Sequence, residues 1–476
     1  MRRAFLILAG LFFCFKNAEA FDWSFGPFYD DFPLTLAPGE RTEILGPVFY
    51  REKKETQTTF ALPPLFSCAR DPDVESTEWD FLYPILTYDQ YGAEYRFQIL
   101  QVFAFAGGHS QEEEKARRFT LFPIYFQQRS DEPDFNYTAF LPVYGTLKNR
   151  LFRDEIFFAV WPVYVRSRKK DVVTDNYLFP IFHLRKGNAL HGWQVWPLIG
   201  MEHKDPTIRT NYFAEKEEVV PGHDKLFVGW PFFFKNTMGI GTDNPEKLLA
   251  FLPLFSVLRS PNRDSTTAPW PLGLTITDDR ARKYHEVGAP WPLIVFARGE
   301  GKYVSRVWPL FSHATNATLQ SDFYLWPVYK YNRYHAPPLD RDRLRIMFFL
   351  YSDIHERNLD SGDVMRRVDF WPFYTFRRDL EGKERLQILS LLEPFLPNSK
   401  SIERNYSPLW SIWRAEKNPK TGATSQSLLW NLYRHDHTPD SKKFSLLLGA
   451  FQYESTPEKK RMRLFYIPIT TKNKTN

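Results

Sequence analysis

Cysteine is nearly absent. The chain holds two, Cys14 and Cys68, and Cys14 falls in an N-terminal segment that reads as removed on export. A lone remaining thiol forms no internal disulfide, so stability must come from packing. No histidine-containing motif accompanies Cys68, which reads as a small apolar residue and not a nucleophile. Charge of one sign is lacking too: 62 Lys and Arg stand against 56 Asp and Glu, a scattered net charge of +6. That excludes the basic footprint of a nucleic-acid binder, and no nucleic acid is expected as a partner. Helical periodicity is scarce, and no window joins an apolar stripe to helix caps. Walker A, dinucleotide and nucleophile-elbow patterns are all missing, so neither catalysis nor a cofactor is expected. Gly/Ser-rich linkers and low-complexity breaks are absent as well, which argues for one continuous domain.

What the chain has in excess is aromatic side chains: 44 Phe, 24 Tyr and 14 Trp, together 17% of its residues. Such residues favour strands, cores and membrane interfaces. Many of them belong to one recurring phrase, an apolar or aromatic residue, proline, an aliphatic or aromatic residue, and then usually an aromatic. It reads FPIY around Pro123, LPVY around Pro142, WPVY at Trp161-Pro162 and FPIF around Pro180. It returns at Trp196-Pro197, Trp230-Pro231, around Pro253, and at Trp291-Pro292, Trp308-Pro309, Trp326-Pro327 and Trp371-Pro372. Copies lie roughly 17 to 22 residues apart with some double gaps, the spacing of a repeat architecture.

Each phrase is flanked by β-prone residues with charged ends, and polar turn residues separate the units. The pattern predicts strands of about a dozen residues centred on the prolines, joined by short loops into an antiparallel meander of about 20 strands. Alternation then places Phe323, Leu325, Pro327, Tyr329 and Tyr331 on one face, against Asp322, Trp326, Val328, Lys330 and Asn332 on the other. One face is apolar for about nine residues, near the length of a membrane-crossing strand. The rule is not clean, since Phe157–Val165 is apolar on both sides, as in stacked sheets. Proline removes a ladder donor, so each is expected at a bulge or bend, creasing the sheet along one line halfway up the strands.

The ends read differently. Arg2, Arg3, the apolar run Ala4–Phe15 and the small residues Ala18 and Ala20 mark residues 1–20 as a cleaved signal peptide. A single repeat domain is expected over 21–470, with a polar tail over 471–476.

Candidate chemistry is sparse. His435 and His437 stand two apart in RHDH, a weak metal-ligand pair that lacks a third ligand and precedes a turn signal, so a solvated loop is favoured. Asp30-Asp31 and Asp278-Asp279 are expected in turns, and Gly107-Gly108 in a hairpin loop. The resulting reading is an all-β, exported protein of a bacterial cell envelope, placed in the outer membrane, periplasm or cell surface. It is structural or transport-related and non-catalytic, closed or strongly curved as a barrel, with outer-membrane lipid or other envelope components as partners. The alternative is a soluble propeller or layered scaffold that binds glycan or protein.

Overall fold

The computed structural model describes Phe25 and residues 28–108, 116–211, 216–457 and 459–473. Among these residues the chain is all-β, with 45 strands, all but the two of a separate hairpin belonging to a long antiparallel meander, and two short α-helices, Lys400–Asn405 and Ser407–Trp410. The expected signal peptide lies outside the described residues. So do positions 474–476 of the expected tail, while 471–473 continue the strand Ile467–Asn473.

The strands are half as long and twice as many as the sequence suggests, because the proline phrases are not strand midpoints. Arg153–Ala159 ends at the phrase, and Tyr164–Lys169 begins after it. Between them the Val163 N–H donates to the Val160 carbonyl at 2.7 Å, closing a β-turn with Pro162 in its third position and the Trp161-Pro162 peptide cis, the type VI arrangement. Ile124 to Leu121, Ile181 to Leu178 and Val328 to Leu325 repeat the same closure at 2.8, 2.8 and 2.7 Å. A proline there costs the sheet no ladder bond, which removes the need for a mid-strand bulge. Neighbouring turns are also tied to one another. The N–H groups of Trp161, Phe179 and Trp230 each donate at 2.7 Å to the carbonyl of the preceding turn's proline, Pro142, Pro162 and Pro197.

The turn also resets the side-chain alternation. Phe323 lies opposite Lys330 and Asp322 opposite Tyr331, so Phe323 and Tyr331 occupy different faces and the expected nine-residue apolar face does not exist. What runs the length of the ladder is a row of residues flanking the turns. Tyr144, Ala159, Tyr164, Tyr177, Phe182 and Val195 lie side by side across successive strands, and Phe311, Tyr324, Tyr329, Ile346, Tyr351 and Phe370 do the same further on. Ring pairs such as Tyr164–Tyr177 at 5.2 Å and Tyr324–Tyr329 at 5.6 Å reinforce it.

Two compact units divide the chain: Pro84–Phe370, and the described residues up to Tyr83 together with those from Trp371 onward. In Pro84–Phe370 an unbroken ladder runs from Leu86–Tyr91 to Val364–Phe370, leaving out only the separate hairpin of Thr207–Asn211 and Lys216–Val220. No blade boundary interrupts it, so the propeller alternative does not describe this unit. The other unit holds two ladders, Asp30–Pro33 to Ser76–Phe81 and Tyr374–Arg378 to Ile467–Asn473. Among the described residues the first strand pairs with Gly39–Ile44 and the last with Lys459–Leu464, and no register joins the two. Among the described residues the sheet is therefore not closed edge to edge, so the closed form of the expected barrel is not found.

Fully buried apolar side chains are few. They gather in small groups such as Tyr137, Ala139, Leu147 and Phe158, or Tyr284, Val295, Ala297 and Val304. Ladder bonds, cross-strand rings and ion pairs carry more of the cohesion than a thick core does.

Candidate functional site

Strands about six residues long are roughly 20 Å from end to end, and successive turns alternate between the two ends. In Pro84–Phe370 one end collects the proline phrases. Leu198, Leu325 and Leu310, beside Pro197, Pro327 and Pro309, are 65%, 60% and 54% exposed. Trp161, Trp230, Trp308 and Trp326 are exposed there too, and Trp196–Trp230 and Trp308–Trp326 pair at 5.6 and 6.1 Å. The other end of this unit collects polar turns: Lys169–Asp171, Arg280–Lys283, Asn316–Thr318 and Asn358–Asp363. Ion pairs such as Lys283–Glu300 at 2.8 Å lie along it. Leu151 and Phe152 depart from this pattern, standing exposed at the polar end.

The proline phrases named from the sequence within this unit fall in its apolar-end turns: Pro123, Pro142, Pro162, Pro180, Pro197, Pro231, Pro253, Pro292, Pro309 and Pro327; Pro372 likewise lies in a turn, just before the strand Tyr374–Arg378. Sequence reasoning missed others. Trp270-Pro271 occupies one such turn, its Trp270 N–H on the Pro253 carbonyl at 2.8 Å, and in the other unit Pro63-Pro64 lies in the turn between the strands Gln57–Leu62 and Phe66–Asp71. Trp270-Pro271 fills the double gap between Pro253 and Pro292, and other positions hold turns without proline. Met347–Leu350 sits between the phrases at Trp326 and Trp371, and Leu429–Leu432 and Leu447–Ala450 follow the same geometry. Their signal was available: a largely apolar tetrapeptide, MFFL, LWNL or LLGA.

A second feature lies within the unit formed by the two chain ends. The segment 399–410 carries the two helices. Ser399 caps the first by accepting from the Ile402 N–H, and Pro408 opens the second. Six residues are too few for periodicity to reveal, so this segment was not anticipated. It delivers Arg404, whose guanidinium meets Asp80 at 2.9 Å and also pairs with Glu78, while Asn405 donates to the same Asp80 oxygen at 2.9 Å. Tyr50 donates to the Arg404 carbonyl at 2.9 Å, and burial pushes its phenol up to about 12. Arg41 lies 3.8 Å over the Tyr50 ring and pairs with Glu43 at 2.8 Å and Glu52 at 3.1 Å. Glu393 accepts from Gln387, Ser407 and Trp410 at 2.7, 2.6 and 3.1 Å. These carboxylates are committed to cations and hydrogen bonds, an arrangement that locks segments distant in sequence.

Glu416, in the same unit, makes a pH-sensitive contact of its own. Burial by itself raises its pKa, but the guanidiniums of Arg414 and Arg385, at 2.6 and 3.2 Å, outweigh this and bring it from 4.5 down to about 2. The stabilisation is present above pH 4.5 and is lost as pH falls towards 2. Urea unfolding is expected to show a loss of about 3 kcal/mol across that window that Glu416→Gln lacks. An identical pH slope in wild type and variant would count against it.

His435 and His437 lie in the strand Tyr433–His437, not in the expected loop, and the turn begins after them. Among the described residues no group of three or more His, Cys, Asp or Glu side chains is placed to hold a metal ion. Asp30 and Asp31 likewise begin a strand, Asp278 and Asp279 end one, and Gly107 and Gly108 close the strand Phe103–Gly108. Cys68 is half-buried in Phe66–Asp71, and burial raises its thiol pKa, the opposite of an activated nucleophile. No helix among the described residues is long and apolar enough to cross a membrane. No protein-family model matches the chain, and no curated protein matches it.

Proposed function

We propose that the protein is a non-catalytic component of a bacterial cell envelope that rests on lipid through its row of apolar turns. The segregation of apolar and charged turns to opposite strand ends carries this reading. A soluble protein shows single exposed apolar residues as a matter of course, whereas one continuous exposed row marks a surface that meets something apolar. Exposed tryptophan beside leucine suits the membrane interface, where an aromatic ring sits at headgroup level. Strands of roughly 20 Å fall short of the roughly 30 Å hydrocarbon core and of the nine to eleven residues of a spanning strand. The reading is therefore a protein seated in one leaflet, with its charged turns in water, and not a spanning barrel. Its role is structural or concerned with moving envelope components.

The test is flotation of the full chain with phosphatidylcholine vesicles. Binding that survives 1 M salt, with a blue shift of tryptophan emission, is expected, because apolar contact is not screened. Protein that stays at the bottom of the gradient at every lipid concentration would overturn lipid contact and favour the soluble scaffold that binds protein or glycan.

A further inference from the structure

On one face of Pro84–Phe370, just inside the apolar turns, cations accumulate without matching carboxylates. Lys330 follows Tyr329 at the start of its strand, and Arg345 precedes Ile346 at the end of the next, so both lie one residue in from the turn-flanking row. The two sit directly opposite each other across the ladder. Like charges in that position repel, a cost that a sheet ordinarily avoids. Two residues further along the same face comes Arg343, and in the Lys330 row lies Arg306, reached through Ser312 and Phe323.

The carboxylates of this face are already engaged. Glu356 pairs with Arg341 at 2.9 Å, and both Asp369 oxygens accept from Arg367, at 2.7 and 3.2 Å. Arg306 and Arg343 reach only serine hydroxyls, Ser312 at 3.3 Å and Ser352 at 3.4 Å. Among the described residues none of Arg306, Lys330, Arg343 and Arg345 makes an ion pair. Burial, with the charges of Arg345, Arg306 and Arg343, holds the Lys330 ammonium below its usual range, and burial with Arg345, Arg341 and Arg367 does the same to Arg343 despite Asp369. All four side chains are only half-exposed, so water screens their repulsion incompletely.

We infer that Arg306, Lys330, Arg343 and Arg345 form a binding site for a phosphoryl group. Guanidiniums offer paired donors that match phosphate oxygens, and a lysine adds a point charge. One anion bound here neutralises the repulsion and takes up the free donors. The same chemistry is carried by a soluble phosphate and by an anionic lipid headgroup. For the lipid source the inference rests on the proposed lipid contact, since the acyl chains would lie against the adjoining apolar turns.

The experiment compares the full chain with Lys330→Gln/Arg345→Gln in three arms: pyrophosphate titration by calorimetry, flotation with phosphatidylcholine vesicles, and flotation with vesicles containing phosphatidylglycerol. Wild type is expected to bind pyrophosphate or to prefer phosphatidylglycerol, and the variant to lose about tenfold or more in that arm. Response to pyrophosphate identifies a soluble phosphate, and response to phosphatidylglycerol alone a headgroup. Binding to phosphatidylcholine is expected to be equal in the two proteins. Loss of that arm in both defeats the lipid contact and leaves the pyrophosphate result to decide this site. Without ligand the variant is expected to melt at the same or a higher temperature, because the opposed charges are gone. Equal anion response in both proteins, or a lower melting temperature for the variant, would overturn the inference, the latter by making the cations structural.

Discussion

Leu198→Asp, Leu310→Asp and Leu325→Asp combined in one chain are expected to abolish vesicle flotation while leaving the far-ultraviolet circular dichroism unchanged. The three side chains stand in apolar-end turns and are more than half exposed, so the folded protein loses little when they change. The turns are closed by backbone bonds: the Leu198 N–H donates to Val195 at 2.8 Å, and Leu325 accepts from Val328 at 2.7 Å. Burying a leucine side chain is worth about 1.5–3 kcal/mol, so each position should weaken lipid contact by about tenfold or more, and the three together beyond detection. The matched control, Lys170→Ser with Lys283→Ser at the charged end, should float as wild type does. A triple variant that still floats would place the lipid contact elsewhere or nowhere.

Arg404→Met is expected to be the most destabilising single change, at about 3–5 kcal/mol. The substitution keeps the inner, unbranched part of the side chain but removes the guanidinium, leaving Asp80, 3% exposed, as a buried carboxylate facing only Ser67 at 3.2 Å and Asn405 at 2.9 Å. Arg404 and Asp80 are separated by 324 residues, so their pairing joins the two ladders of their unit. Thermal unfolding should shift down by roughly 10 °C. Adding Asp80→Asn should recover part of the loss, since the uncompensated charge is then gone. Equal melting of Arg404→Met and wild type would show that packing alone holds this region.

The proline phrases illustrate how much was legible. Their period predicted a repeat, and the β-prone flanks with short polar connections predicted antiparallel neighbours. The meander follows from both. The expected placement of the prolines failed because a run such as DFYLWPVYKYN is apolar on both sides of the proline, and periodicity alone cannot separate one long strand from two short ones joined by an apolar turn. Turns are ordinarily recognised by polar residues, and these are not polar. Proline's missing donor was the available clue, since a residue excluded from strand interiors fits a turn better than a bulge repeated at every copy.

The candidate surfaces divide along the same line. The aromatic excess was visible, but its collection at one strand end depended on the turn positions. The cations Arg306, Lys330, Arg343 and Arg345 are scattered over forty positions in an almost neutral chain and become neighbours only through register. Arg404 and Asp80 are further apart still. Local composition determined by itself that this chain forms antiparallel strands in a long meander, because propensity and alternation act between residues close in sequence. Which turns share an end, which charges face each other and which carboxylates are satisfied were decided only by the tertiary structure, because a single-residue shift of register moves every side chain to the opposite face.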